Sequence, residues 1–115
     1  MKVQRRLVVY VDVDDTLVRS AGTKTIPIPT VVQQVKDLAG ADTELYCWST
    51  AGAEYARGVA RQLGIEDCFK SFLPKPNILI DDQVVSDWKG FAIVHPLSAS
   101  GKSAAEFRAL IADAD

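Results

Sequence analysis

The sequence predicts an α/β fold, a small doubly wound parallel sheet with helices on both faces. Short runs rich in β-branched and aromatic residues alternate along the chain with stretches of helical periodicity. The connections are long enough for the crossover helices that parallel strands require. The 115 residues, 48% hydrophobic and 24% charged, have the size and composition of one domain, and no repeat or linker divides them. We therefore expect a single domain over residues 1–115.

The N-terminal part of the chain predicts a strand followed by a hairpin. The apolar run over residues 7–11 is short and β-branched, which is typical of a buried strand in a parallel sheet. Residues 19–29 contain a central Gly22 between alternating side chains, so they favour a short hairpin or flap. Their prolines exclude a central strand.

The middle of the chain predicts two helices and the strand between them. Thr30 is the expected N-cap of the first helix, and Gly40 ends its apolar periodicity. A second strand runs over residues 45–48. The second helix is expected over residues 51–63, with Gly64 after it.

The C-terminal part predicts three further strands and a closing helix. Residues 69–73 favour a short edge strand, residues 77–80 a third core strand and residues 91–95 a fourth. The closing helix is expected over residues 103–112. Ser103 is its predicted cap, with Glu106 at the capping-box position.

Charge and cysteine content exclude several classes of function. A net charge of -2 gives no general attraction for nucleic acid or for an anionic membrane. No apolar run is long enough for a signal peptide or a membrane span. Cys47 and Cys68 each stand beside an aromatic residue, so we interpret them as core thiols of a cytoplasmic protein rather than a disulfide framework. The single His95 has no second histidine to complete a metal site or a triad.

The most informative motif is the acidic run that follows the first strand, Asp12-Val13-Asp14-Asp15-Thr16-Leu17. Strands of open α/β sheets carry their functional groups at their carboxyl ends, so these carboxylates are expected at an active-site edge. Alternation along the strand places Asp12 and Asp14 on the same side. The pair would then share a cation and divide the roles of nucleophile and proton donor. The alternative is an acidic turn that ends a strand.

Three more predicted strands end in groups that suit a phosphate and a divalent cation. These are Ser49, Lys75 and the pair Asp81-Asp82. Each group alone has an ordinary explanation, as a helix cap, a solvated lysine or a turn. Together they supply a neutral donor, a fixed cation and further acid for a metal.

In their order and spacing these groups resemble the motifs of the haloacid dehalogenase superfamily, specifically its phosphohydrolase branch. The first motif is similar to Asp12-Val13-Asp14-Asp15-Thr16, the second to Ser49, the third to Lys75 and the fourth to Asp81-Asp82. The second acid of the first motif distinguishes the chain from the dehalogenase branch, which lacks it. The resemblance covers nearly the whole chain and implies a Rossmann-like core.

The resemblance also implies a mechanism. Asp12 would attack phosphorus and form an aspartyl-phosphate, and Asp14 would protonate the leaving oxygen and later deprotonate the hydrolytic water. Ser49 would donate a hydrogen bond to a phosphate oxygen, with Thr50 as the neighbouring alternative. Lys75 would balance the negative charge on the nucleophile and on the phosphoryl group. Mg²⁺, a hard cation that prefers oxygen ligands, would be bound at Asp12, Asp14 and Asp81, with Asp82 assisting directly or through water.

Access to this predicted site is expected to be open. The family usually covers its site with a cap domain inserted between the first and second or the second and third motifs, and a hairpin and a helix already fill these intervals here. The substrate would be a phosphate displayed on a macromolecule, or a small phosphate covered by a neighbouring subunit, and we favour a monomer slightly. The alternatives are a catalytically weak domain that binds a phosphorylated partner, and a polynucleotide end phosphatase, which the net charge disfavours.

Overall fold

A three-stranded parallel sheet forms the centre of the computed structural model, which describes residues 6–112. The β-branched N-terminal run forms the first strand, β1 (Leu7–Asp12). The chain then forms a separate antiparallel hairpin from β2 (Val18–Ala21) and β3 (Lys24–Pro27), with Gly22 in the left-handed region at its turn. The predicted flap is therefore confirmed.

Two helices and two strands complete the central unit. They are α1 (Pro29–Ala39), β4 (Thr43–Ser49), α2 (Ala53–Gln62) and β5 (Ser71–Pro74), with a short 3-10 turn over Glu66–Cys68. The sheet order is β1-β4-β5, and both pairs are parallel. The residues predicted as an edge strand do supply the edge strand β5, displaced by two residues at its start.

Both helices begin where local backbone chemistry dictates. The prediction that Thr30 is the N-cap of α1 was wrong. Ile28 takes that position and makes no side-chain cap bond. Pro29 occupies the first turn instead, where its fixed φ suits a helix and its missing N–H costs nothing. α2 begins at Ala53 rather than residue 51, because Gly52 has a φ of 107°, which is incompatible with a helix.

The core lies on one face of the sheet. Val11, Cys47 and Phe72 stand side by side in register and are buried against apolar residues of α1 and α2. The alternate residues face the other way, and Val8 and Tyr10 among them are exposed. The predicted cover of helices on both faces is thus not seen within residues 6–112.

The predicted strands over residues 77–80 and 91–95 do not form. Ile78 and Ile80 are 79% and 100% exposed, and Ile93 is also exposed. Only Lys75 and Pro76 separate β5 from the first of these segments, whereas a parallel crossover needs about a dozen residues. Residues 77–80 therefore cannot cross to the far edge of the sheet and run parallel to β1. No strand within residues 6–112 pairs with residues 91–95.

The C-terminal helices are anchored on α1. After a 3-10 turn over Val85–Asp87 come α3 (Pro96–Ala99) and α4 (Ala104–Ala112). The predicted capping box is confirmed, since Ser103 Oγ accepts from the Glu106 N–H while Glu106 Oε1 accepts from the Ser103 N–H, both at 3.2 Å. Buried Gln34 donates through Nε2 to the carbonyls of Ala99 and Lys102. None of the helices seen in residues 6–112 is long and apolar enough to cross a membrane.

Candidate active site

Asp12 and Lys75 form an ion pair at the carboxyl end of the sheet. Lys75 Nζ lies 3.2 Å from Asp12 Oδ1, and both side chains are half-buried. Thr16 Oγ1 donates to the other oxygen, Oδ2, over a long 3.5 Å. The predicted nucleophile and the predicted fixed cation are therefore in direct contact, although they are far apart in sequence.

Besides Asp12, the Ser49 carbonyl and the Trp48 ring hold Lys75 in place. Its backbone N–H donates to the Ser49 carbonyl at 2.9 Å, which extends the pairing of β5 with β4 by one hydrogen bond. Its ammonium lies 5.8 Å from the centre of the Trp48 ring, within the range of a cation–π contact. Because Trp48 is the register partner of Asp12, the cation lies over the ends of two adjacent strands.

Ser49 ends β4 and is almost completely buried, with 1% exposure. Its Oγ accepts from the Ala51 backbone N–H at 3.0 Å, so the hydroxyl proton is available to a further acceptor. The neighbouring Thr50 is exposed. Of the two candidates for the neutral donor, Ser49 is the one whose position the strand fixes.

Asp14 lies in a tight turn directly after β1. The carbonyl of Val13 accepts from the N–H groups of Thr16, Leu17 and Val18, and Asp15 has a positive φ of 62°. Val13 is fully buried and Asp14 is exposed, but the strand ends at Asp12, so the placement of Asp12 and Asp14 on one side of a strand stays a prediction.

A tyrosine that the sequence analysis did not select contacts this turn. Tyr55 Oη on α2 donates to Asp14 Oδ1 at 2.7 Å. Tyr55, Val59 and Leu63 recur at helical spacing, which is typical of an apolar helix stripe and conceals the hydroxyl. The available signal was its place in the first turn of the helix that follows Ser49, where a polar group faces the ends of the strands.

The environment leaves Cys47 chemically inactive although it is near Asp12. Burial, and to a smaller extent the negative charge of Asp12, raise the pKa of the Cys47 thiol to about 12. The neutral thiol is a poor nucleophile, so Cys47 has the low reactivity of a core thiol.

Asp81 and Asp82 lie in the exposed segment after residues 77–80. The Asp81 carboxylate accepts the Gln83 backbone N–H at 2.9 Å, an ordinary turn contact. No group of three or more His, Cys, Asp or Glu side chains in residues 6–112 is arranged to hold a metal ion. The structure thus brings Asp12 and Lys75 into contact and pairs Lys75 with the Ser49 backbone, while no contact within residues 6–112 joins Asp81 or Asp82 to these groups.

The donors beside Asp12 still meet the modest requirements of Mg²⁺. This ion usually keeps several waters and takes one or two carboxylates together with oxygens of a bound phosphate. Asp12 supplies a carboxylate, and the Asp14 main-chain carbonyl accepts no backbone hydrogen bond from the part of the chain that the structure describes. These two oxygens are hard ligands on one turn.

Comparisons with known proteins found no relative. No protein-family model matches the chain, and searches of curated proteins and of solved structures also gave no match.

Proposed function

We propose that this chain is a Mg²⁺-dependent phosphomonoester hydrolase that acts through an aspartyl-phosphate and has no cap domain. The observation that supports this most directly is the contact of Asp12 with Lys75 at the carboxyl end of a parallel strand. A carboxylate nucleophile needs a neighbouring cation, because both it and the phosphate are negatively charged. In the chain the cation comes from a different strand end, as the resemblance to haloacid dehalogenase phosphohydrolases implies.

In the proposed first step, Asp12 Oδ2 attacks phosphorus, and the bond between phosphorus and the ester oxygen breaks. Oδ2 is the better candidate because the hydrogen bond that it accepts within residues 6–112 is the long one from Thr16, whereas Oδ1 is paired with Lys75. Protonated Asp14 gives its proton to the departing oxygen. The products of this step are an alcohol and a phosphorylated Asp12.

In the second step, water attacks the phosphorylated Asp12 and inorganic phosphate leaves. Asp14, now ionised, takes the proton of the attacking water and returns to its starting form. Ser49 donates its hydroxyl proton to a non-bridging phosphate oxygen, and Lys75 offsets the charge on the same group. Mg²⁺, held by Asp12 and the Asp14 carbonyl, would supply further positive charge when bound.

The position of Asp81 and Asp82 favours a second candidate function. With these acids away from the other groups, the site retains a cation, a hydroxyl donor and a carboxylate but has fewer ligands for a metal. Such a site suits a catalytically weak domain that binds a phosphorylated partner. Binding would then depend on Lys75 and Ser49 and would not need Mg²⁺.

The experiment is hydrolysis of an aryl phosphate by the purified chain with Mg²⁺, with EDTA and with Ca²⁺. We expect turnover with Mg²⁺ alone, because Ca²⁺ takes more ligands and would capture the Asp12 carboxylate in a bidentate manner. Asp12→Asn should abolish turnover. The matched control is Asp15→Asn, the same change in the same turn, at a positive φ that asparagine tolerates.

Undiminished turnover in EDTA would remove the metal from the mechanism. Turnover by the Asp12→Asn variant equal to that of the parent would show that Asp12 is not the nucleophile. Absence of turnover combined with Mg²⁺-independent binding of a phosphopeptide would establish the second candidate instead.

A further inference from the structure

We infer that Tyr55 is a positioning residue for Asp14: its hydroxyl fixes one carboxylate oxygen, so that the other faces the leaving group. The inference rests on the proposed function, because it assigns a partner to the general acid of that reaction. The hydrogen bond from Tyr55 Oη to Asp14 Oδ1 is 2.7 Å long and joins residues that are 41 positions apart.

Asp14 needs such a partner because its own turn does not hold its side chain. The residue is exposed and is the second residue after the end of β1, so its carboxylate would otherwise rotate among its staggered conformations in water. No second hydrogen bond to this carboxylate comes from within residues 6–112. Oδ2 is therefore left for proton transfer.

Tyr55 is suited to the task because its own position is rigid. It lies in the first turn of α2, next to Ala56, which is fully buried in the core, and its ring packs against the same core. A tyrosine has few rotatable bonds, so a packed ring carries its hydroxyl to a defined point. The packing of α2 against the sheet thereby fixes the position of the general acid, Asp14.

The contact also changes the tyrosine itself. Hydrogen bonding to Asp14, with smaller effects of burial and of the Asp14 charge, raises the pKa of Tyr55 to about 12. The phenol therefore keeps its proton, and remains a donor, to a higher pH than an ordinary tyrosine would.

The kinetic test uses Tyr55→Phe, which removes the hydroxyl and keeps the ring. General acid catalysis contributes about 10²- to 10⁴-fold, and misplacing the acid forfeits part of this, so we expect kcat on an alkyl phosphate to fall about tenfold. On a nitrophenyl phosphate, whose leaving group needs little protonation, the fall should be less than about threefold. KM should change little, since the hydroxyl bonds the enzyme and not the substrate.

Tyr46→Phe is the matched control. The Tyr46 hydroxyl donates to Glu44 on β4, at the opposite end of that strand from Ser49, and its loss should leave both rates unchanged. An equal fall on both substrates in Tyr55→Phe would mean a general structural role and would overturn the inference. Unchanged kinetics of Tyr55→Phe on both substrates would also overturn the inference.

A second measurement does not depend on activity. In the Asp14→Ala variant, which removes the acceptor, the Tyr55 phenol should ionise near its ordinary pKa of about 10, whereas in the parent it stays largely protonated at a pH of about 11. Ultraviolet difference spectra, with Tyr55→Phe as the blank, report this ionisation. Identical titration of Tyr55 in the parent and in Asp14→Ala would overturn the contact, while an inactive parent would overturn the proposed function and with it the role in catalysis.

Discussion

The sharpest test of the fold is a matched pair of isoleucine truncations, Ile65→Ala and Ile80→Ala. Ile65 follows α2, is 1% exposed and lies in the core, and its N–H donates to the Ala60 carbonyl. Ile80 is 100% exposed. The same three heavy atoms are removed in each variant, so the difference between the two reports burial alone.

The expected magnitudes follow from this difference in exposure. Truncating a buried isoleucine to alanine costs about 2–5 kcal/mol, through lost transfer free energy and the cavity left behind. A substitution at an exposed position changes the free energy of unfolding by no more than about 0.5 kcal/mol. The free energy of unfolding should therefore fall by about 3 kcal/mol in Ile65→Ala and change little in Ile80→Ala.

Urea unfolding followed by circular dichroism measures both values. With a slope of about 1.5 kcal/mol per molar urea, typical of a small domain, Ile65→Ala should lower the midpoint by about 2 M. The shift for Ile80→Ala should be less than about 0.4 M. Equal slopes in the two variants would show that the comparison concerns the same transition.

A loss in Ile80→Ala comparable to that in Ile65→Ala would refute the reasoning. It would mean that residues 77–80 are packed in solution as a strand, against the argument from the short connection after β5. Such a strand would also carry Asp81 and Asp82 to a sheet edge, so the result bears on the metal ligands as well as on the fold.

Two further predictions concern side chains outside the candidate site. Hydrogen bonding and charge from Arg61, assisted by Arg57, lower the pKa of Glu66, so its stabilising effect is present above the unfolded pKa of about 4.3 and is lost as pH falls through the lower folded value. Glu66→Gln should therefore have a lower Tm than the parent at neutral pH and the same Tm at a pH of about 2, and a constant difference would contradict this. In native protein a thiol reagent should modify half-buried Cys68 first and reach Cys47 only on unfolding; equal rates would show that Cys47 is not in the core.

The sequence predicted those parts of the fold that are determined by local periodicity. Short runs of β-branched and aromatic residues identified β1 and β4, and the residues around Gly22 identified the hairpin, whose two strands are neighbours in sequence. The capping box at Ser103 is likewise a local contact. The start of α1 was wrong by two residues, because a proline satisfied the first turn where a threonine cap was expected.

The strands over residues 77–80 and 91–95 were predicted wrongly for a physical reason. A short apolar run is equally compatible with a buried strand and with an exposed segment, and its composition alone does not identify a partner. The decisive constraint was connection length, since Lys75 and Pro76 cannot provide a parallel crossover. The general expectation of long connections was correct for β1 to β4 and for β4 to β5.

The candidate site was predictable to the extent that parallel register determines it. Asp12, Ser49 and Lys75 end three parallel neighbours in the order β1-β4-β5, so their meeting follows from topology. Tyr55 was missed because its contact comes from a helix and depends on how α2 packs, which periodicity does not reveal.

The ion pair between Asp12 and Lys75 gives the proposed reaction a physical starting point. Before substrate arrives, each charge is balanced by the other at 3.2 Å, so neither is left unpaired in a half-buried position. A phosphate dianion placed beside Lys75 would draw the ammonium toward its own oxygens and weaken the ion pair between Lys75 and Asp12. The carboxylate then regains its nucleophilicity at the moment when phosphorus is in reach, and the Trp48 ring keeps the lysine near both groups during the exchange. Substrate binding and activation of the nucleophile would thus be one event, carried by a single lysine.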